Sequence, residues 1–147
     1  MSMSAKVIGC ELCEHDGGRL VHHDGDWRVV GVDDPAFPAF YRVVCNRHVA
    51  EFSDLDPAER DRCIVLVDTV ERVLRERLQP TKINLASLGN VTPHLHWHVI
   101  ARFDWDSHFP QPVWGAPQRA AAADRLAALR AELPELDRVL AERLHYA

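Results

Sequence analysis

The sequence has no apolar run approaching the roughly 18 residues of a membrane span, and Met1 to Val7 lacks the apolar core of a secretion signal. A cytoplasmic protein is therefore expected. It has no excess of positive charge either. Its 17 Lys and Arg stand against 22 Asp and Glu, a net charge of −5 with His neutral. That balance argues against a general nucleic-acid coat or a binder of anionic membranes and makes any phosphate site a local arrangement. Cysteine is scarce: of four, only Cys10 and Cys13 are close together. In a cytosolic chain that spacing points to metal or redox use over a structural disulfide. No internal repeat or low-complexity linker divides the chain, and 147 residues make one ordinary domain. A chain of this length buries about two thirds of its unfolded surface without disulfides.

The most informative stretch is Pro93-His94-Leu95-His96-Trp97-His98-Val99-Ile100, where imidazoles alternate with apolar side chains in a strand pattern. Successive strand side chains point to opposite faces. His94, His96 and His98 are thus expected on one face and Leu95, Trp97 and Val99 on the other, buried against a helix or second layer. Burying three imidazoles without partners costs several kcal/mol, so the histidine row is expected to face solvent, ligand or metal. At about 3.3 Å of rise per residue, neighbouring histidines stand roughly 7 Å apart and the outer two roughly 13 Å. That spacing suits separate tasks better than one shared metal.

Around this stretch the chain reads as α+β. Cys10 to Arg19 is polar and ends in Gly17-Gly18, which predicts a loop or knuckle at the domain edge. Leu20 to His23 and Trp27 to Val32 read as strands joined by Asp24-Gly25-Asp26, a hairpin signal, and Asp33-Asp34-Pro35 stops the second. Phe40 to Cys45, rich in β-branched and aromatic residues, predicts a central strand that delivers Arg47 and His48 at its far end. Asp56-Pro57-Ala58-Glu59 combines an N-cap acid, a first-turn proline and a capping-box glutamate. The long helix that follows presents Ile64, Val67, Val70, Val73, Leu74 and Leu78 as its sheet-covering stripe and stops at Pro80. Lys82 to Leu88 is the next strand, Gly89-Asn90 its turn, and the histidine strand its antiparallel neighbour.

Beyond Phe103, the run from Asp104 to Pro112 holds two prolines and predicts an extended loop. Leu126, Leu129 and Leu133, then Leu136, Val139, Leu140 and Leu144 past Pro134, predict two short helices. The expected architecture is an antiparallel sheet with a long covering helix over residues 8–112. Residues 113–147 form a C-terminal helical extension packed on the same domain.

The string His94-x-His96-x-His98, with Leu95, Trp97, Val99 and Ile100 apolar, resembles the signature of the histidine triad (HIT) family of nucleotide hydrolases and transferases. The resemblance extends back through Cys10-x-x-Cys13, Arg47-His48 and Asn84. With Leu88-Gly89-Asn90 before the triad and Arg102-Phe103 after it, the chain is most similar to bacterial members of the diadenosine polyphosphate hydrolase-like kind. What this implies is a HIT-like fold and nucleotidyl transfer. His96 is the nucleophile that attacks an α-phosphorus, His94 supplies a carbonyl to orient it, and His98 contacts phosphate oxygens or the leaving group.

Asn84 occupies the place of a phosphate- or ribose-contacting amide in the family, and Asp33 resembles the family's ribose-binding acid. Asn90 is a further substrate-binding candidate by proximity alone. As plain turn chemistry, Asp33 and Asn90 need no substrate. Two departures stand out. Members from the human branches carry a Gly-Gln-Ser/Thr loop where this chain has Gly89-Asn90-Val91-Thr92-Pro93, and a further histidine where it has Phe40.

The resemblance also implies a structural zinc held by Cys10, Cys13, His48 and His94, with no metal required for the chemistry. Reduced surface thiols, or His15 in place of one ligand, are the alternatives. The expected partners are a nucleotide substrate, likewise on the resemblance, and a second copy of the chain. The homodimer also draws on the apolar segment from Leu126 to Leu144. Two other functions compete: a zinc hydrolase whose water is activated by a metal on His94 and His96, and a HIT-fold module that binds nucleotides with little turnover.

Overall fold

The computed structural model describes residues 6–147; residues 1–5, part of the stretch read for a secretion signal, lie outside the described residues. Five strands, β1 (Arg19–His23), β2 (Trp27–Gly31), β3 (Phe40–Cys45), β4 (Lys82–Ala86) and β5 (His96–Arg102), form one antiparallel sheet. The order is β1-β2-β3-β5-β4, which makes β3 central and β5 its neighbour. The β1–β2 turn closes as the Asp-Gly pair demands: Asp24 Oδ1 accepts from the N–H groups of Asp26 and Trp27.

Alternation along the strands sorts the sheet into two faces. Trp27, Val29, Tyr41, Val43, Val99 and Ala101 point toward the helices α2 (Pro57–Leu78) and α3 (Ala123–His145), where the main core lies. Arg28, Val30, Phe40, Arg42, Val44, His96, His98 and Ile100 share the opposite face, as their cross-strand pairing requires. No described helix is long and apolar enough to cross a membrane.

Helix α2 begins at its expected capping box, with Asp56 accepting from the Glu59 N–H and Glu59 from the Asp56 N–H. Its stripe is turned from the predicted one. Cys63, Leu66, Val67, Val70, Val73 and Leu74 are buried, whereas Ile64 is 47% exposed and Leu78 only partly covered. The shift follows from a second partner: α2 meets α3 as well as the sheet, with Arg143 of α3 paired to Glu76. Strand β4 ends at Ala86, short of Leu88, which is exposed.

The C-terminal region corrects the expectation of two short helices. One helix of 23 residues runs through Pro134. A proline at this position removes one N–H and crowds the carbonyl of Arg130, which lies on the exposed side. Leu129, Leu136, Leu140 and Leu144, on both sides of the proline, are buried in the main core and hold the helix together. Asp137 adds polar ties, accepting from the Tyr41 hydroxyl at 2.7 Å and from Arg19. The leucine stripe is thus used inside the chain, against its own sheet, and does not offer itself to a second copy.

Because Leu140 is wholly buried, Leu140→Ala is expected to lower the unfolding free energy by about 2–5 kcal/mol, read by urea denaturation. A loss near zero would mean that residues 113–147 are an appendage rather than part of one cooperative unit.

Candidate active site and metal-ligand cluster

On β5, His96, His98 and Ile100 stand opposite Val44, Arg42 and Phe40 of β3, while Ala86 and Asn84 of β4 stand opposite His98 and Ile100. The rings of His96 and His98 meet at 4.9 Å between centroids, and Phe40 and Trp114 each touch His98 edge-on at 5.4 and 5.1 Å.

Two expectations about the histidine row are corrected. First, His94 is not a strand residue, since β5 begins at His96. The His94 carbonyl accepts from the Nδ1–H of His96 at 2.6 Å, and its own N–H turns back to the Thr92 carbonyl, so neither group enters the ladder. Second, of the surroundings expected for the row, solvent is excluded: His94, His96 and His98 are 0%, 7% and 5% exposed. The N-terminal knuckle, with α1 (Glu11–Glu14), packs Leu12 onto Val30 and Val44, and the loop after β5 lays Val113 against the cluster of Phe37, Phe40 and Ile100 and Trp114 against His98. Covers that a strand pattern cannot reveal close the face. On the helix side, Leu95 and Val99 are buried as expected, but Trp97 is only half-buried, edge-on to Phe52.

Since its Nδ1–H is given to a carbonyl, His96 keeps a lone pair on Nε2. Burial lowers the pKa of His94 and His96, and for His96 the charge of Arg42 acts in the same direction. Burial, then the neighbouring His96 and Arg42, pushes His98 down to about 4, so its imidazole is neutral at pH 7. Its Nδ1 is buried without a hydrogen-bond partner.

His94 serves a second neighbourhood. Its Nε2–H donates to the Cys45 carbonyl at 2.6 Å, which leaves Nδ1 unprotonated and turned to Cys10 Sγ at 3.4 Å and Cys13 Sγ at 3.5 Å. Cys13 Sγ lies 3.4 Å from His48 Nδ1, and the four ligand atoms of Cys10, Cys13, His48 and His94 all lie within 4.8 Å of one another. A tetrahedral zinc, with sulfur at about 2.3 Å and nitrogen at about 2.0 Å, spaces these atoms by about 3.5 Å. The donor set fits that geometry. Its fixed partner on the far side of the His94 ring is the carbonyl that such ligands ordinarily find. The His94 nitrogen free for a metal faces the cysteines, and the ligand atoms that gather with it are those of Cys10, Cys13 and His48.

The substrate-binding candidates are scattered. Asn84 sits on the triad side of the sheet, half-buried, its Oδ1 accepting from Arg102 at 2.8 Å. Asp33 is exposed beyond β2, where Asp34 makes the turn by accepting from the N–H groups of Ala36 and Phe37. Asn90 lies exposed between β4 and β5. Residues to which the sequence reading gave no role also belong to this face: Arg28, Arg42, Asp106 and Trp114, with Arg102, which had entered only as part of the family likeness. Arg42 left a signal, a lone charge in step with Phe40 and Val44 on an otherwise apolar central strand.

The HIT domain family model matches residues 16–105, more than half of the chain. A histidine triad protein from Bradyrhizobium japonicum is 28% identical, with a TM-score of 0.73 over 95% of this chain and 98% of that one. A histidine triad (HIT) protein from Sinorhizobium meliloti is 25% identical, with a TM-score of 0.68 over 99% of this chain and 98% of that one. A zinc-bound histidine triad family protein from Mycobacterium smegmatis shares the fold at 18% identity, with a TM-score of 0.58 over 90% of this chain and 98% of that one. No curated protein matches the sequence.

Arg102 and Asp106, 2% and 3% exposed, form a two-toothed ion pair that fastens the loop after β5. Burial alone would raise the Asp106 pKa. Hydrogen bonds from Arg102 and from the N–H groups of Phe103, His108 and Phe109 outweigh it and hold the carboxyl below its ordinary 3.8. Asp106→Ala leaves a buried guanidinium uncompensated and is expected to cost about 3–5 kcal/mol in a denaturation experiment. The native pKa is depressed, so the carboxylate's contribution is complete above the unfolded value and is lost as pH falls through the native one. Asp106→Asn should therefore show a flatter acid limb in stability against pH.

Proposed function

The chain belongs to the HIT family, and on that premise we propose that it is a nucleotide hydrolase or nucleotidyl transferase cleaving at an α-phosphate through a nucleotidyl-histidine on His96. Its substrates are dinucleoside polyphosphates or nucleoside phosphoramidates. The observation that carries this reading is the 2.6 Å bond from His96 Nδ1–H to the His94 carbonyl. It fixes the tautomer in which Nε2 is the nucleophilic nitrogen, and burial keeps that nitrogen unprotonated.

In the first displacement the Nε2 lone pair forms a bond to the α-phosphorus as the bond to the leaving oxygen or nitrogen breaks. Water then attacks the same phosphorus as the bond to Nε2 breaks, its proton passing to the His98 ring that gave one up in the first step, and the nucleoside monophosphate departs with His96 restored. His98 hydrogen-bonds a phosphate oxygen. The negative charge of that phosphate raises the proton affinity of its ring, so a proton can pass to the leaving group as charge develops there. Asn84, braced by Arg102, is the proposed contact to phosphate or ribose.

We assign Cys10, Cys13, His48 and His94 to a structural zinc, on their donor types and spacing. Bound there, zinc would supply a rigid tie between the knuckle, the end of β3 and the residue whose carbonyl aims His96. For a zinc hydrolase working through His94 and His96 there is less support, since the ligand atoms gathered around His94 are those of Cys10, Cys13 and His48. The homodimer stays within this proposal, its surface moved to Ile64, Val65 and the edge-strand residue Leu85, which are exposed.

His96→Ala should lower release of nucleoside monophosphate by at least about a thousandfold while the protein remains folded, measured chromatographically alongside circular dichroism. Turnover near wild type in that variant would sink the mechanism. A nucleotidyl adduct on His96, found by mass spectrometry after brief mixing with substrate, would separate an enzyme from a binding module. For zinc, elemental analysis of protein purified without chelator should give about one equivalent per chain, and chelation should lower thermal stability more than initial activity. Less than about a tenth of an equivalent of any such metal would remove the site.

A further inference from the structure

Three arginines approach the triad side of the sheet, and their guanidiniums are not equivalent. A guanidinium carries five N–H donors and cannot shed its charge, so burying it costs free energy unless acceptors meet it. Arg28 is met by the carbonyls of Leu12, His15 and Asp16 and by Asn46 Oδ1, which makes it a clamp on the knuckle. Arg102 is met by both oxygens of Asp106, by Asn84 Oδ1 and by the Gln111 carbonyl.

Arg42 is different. Its one hydrogen bond runs from Nη1 to the Gly17 carbonyl at 3.1 Å, and its Nε is buried with no partner. Among the described residues it enters no ion pair, although it is half-buried. Burial pulls its pKa down, and the charge of Glu11, an exposed residue of α1, opposes that. A half-buried cation without an ion-pair partner, whose charge is felt by the neutral rings of His96 and His98, favours the approach of an anion.

Register says which anion. Arg42 on β3 stands directly opposite His98 on β5, whereas the partner of His96 is the apolar Val44. For a phosphorus in front of His96, Arg42 therefore leaves β3 one step along the strand, at the level of His98, the ring to which the proposed function gives the proton of the leaving group, and its charge reaches both rings. We propose that Arg42 binds a phosphate oxygen of the leaving group next to His98, so that the site selects anionic polyphosphate leaving groups over amines. The assignment rests on the nucleotidyl-transfer reading and narrows its substrate class. An amine offers Arg42 no oxygen, and its donors then stay unpaired as in the free protein.

The test compares kcat/KM for diadenosine tetraphosphate and adenosine 5′-phosphoramidate in wild type, Arg42→Met and Arg42→Lys. Arg42→Met should lose about tenfold or more on the tetraphosphate, the scale of a charge-assisted hydrogen bond, and stay within about threefold on the phosphoramidate. Arg42→Lys keeps the charge and should recover part of the tetraphosphate activity. It also serves as the reporter if Arg42→Met, which gives up the Gly17 contact, fails to fold. Equal losses on both substrates, or no loss on the tetraphosphate, in a folded variant would overturn the assignment. If wild type releases AMP from neither substrate, the nucleotidyl-transfer reading fails separately. The dissociation constants of AMP, ADP and ATP then judge Arg42: affinity should rise with each phosphate in wild type and rise less in the variants, and equal gradients would overturn it.

Discussion

Everything at the centre of this protein passes through His94, which has no exposed surface. A buried imidazole costs free energy for each ring nitrogen left without a partner, and a buried backbone carbonyl does too. His94 meets all three demands at once. Nε2–H goes to the Cys45 carbonyl, Nδ1 to the cysteine pair, and its carbonyl to the ring of His96. One residue thereby couples the end of β3, the N-terminal knuckle and the proposed nucleophile. The orientation of His96 is as rigid as the packing around its predecessor.

The sheet divides the work between its faces. The helix face carries the apolar core, closed by α2 and by a C-terminal helix that survives its internal proline because leucines on both sides are buried. The other face carries the histidines together with guanidiniums. Positive charge and burial act there in the same direction, keeping the imidazoles unprotonated, while Arg42 is left without an ion-pair partner among the described residues. The phosphoryl transfer proposed above would draw on this combination, since such chemistry is largely positioning and charge stabilisation.

The loop after β5 is a fixed part of the site despite its lack of regular structure. Asp106 accepts from Arg102 and from the N–H groups of Phe103, His108 and Phe109, and Arg119 closes the far end on the carbonyls of Asp106 and Phe109. Irregular backbone buried beside a reactive face is stable only when its polar groups are met in this way. The result is that Trp114, 53% exposed, is held against His98 rather than left to wander.

Local patterns were enough for much of this. Period-two alternation placed His96 and His98 on one face and Val99 on the other, the Asp56 to Glu59 cap marked the start of α2, and Asp24-Gly25 marked the first hairpin, because each depends on neighbours a few residues away. The Cys10, Cys13, His48 and His94 grouping was legible only through family likeness, since its members are up to 84 residues apart and no local rule joins them. Tertiary structure alone decided the rest. It withdrew His94 from the strand by giving its carbonyl to His96, and it covered the histidine face with a knuckle and a loop that begin far from it in sequence. It carried α3 across Pro134, and it left Arg42 with a single carbonyl acceptor while meeting Arg28 and Arg102 with four hydrogen bonds each. Each of those outcomes turns on which polar group finds a partner in space. Such pairing is a property of the packed chain, and residue order expresses it only once the chain has folded.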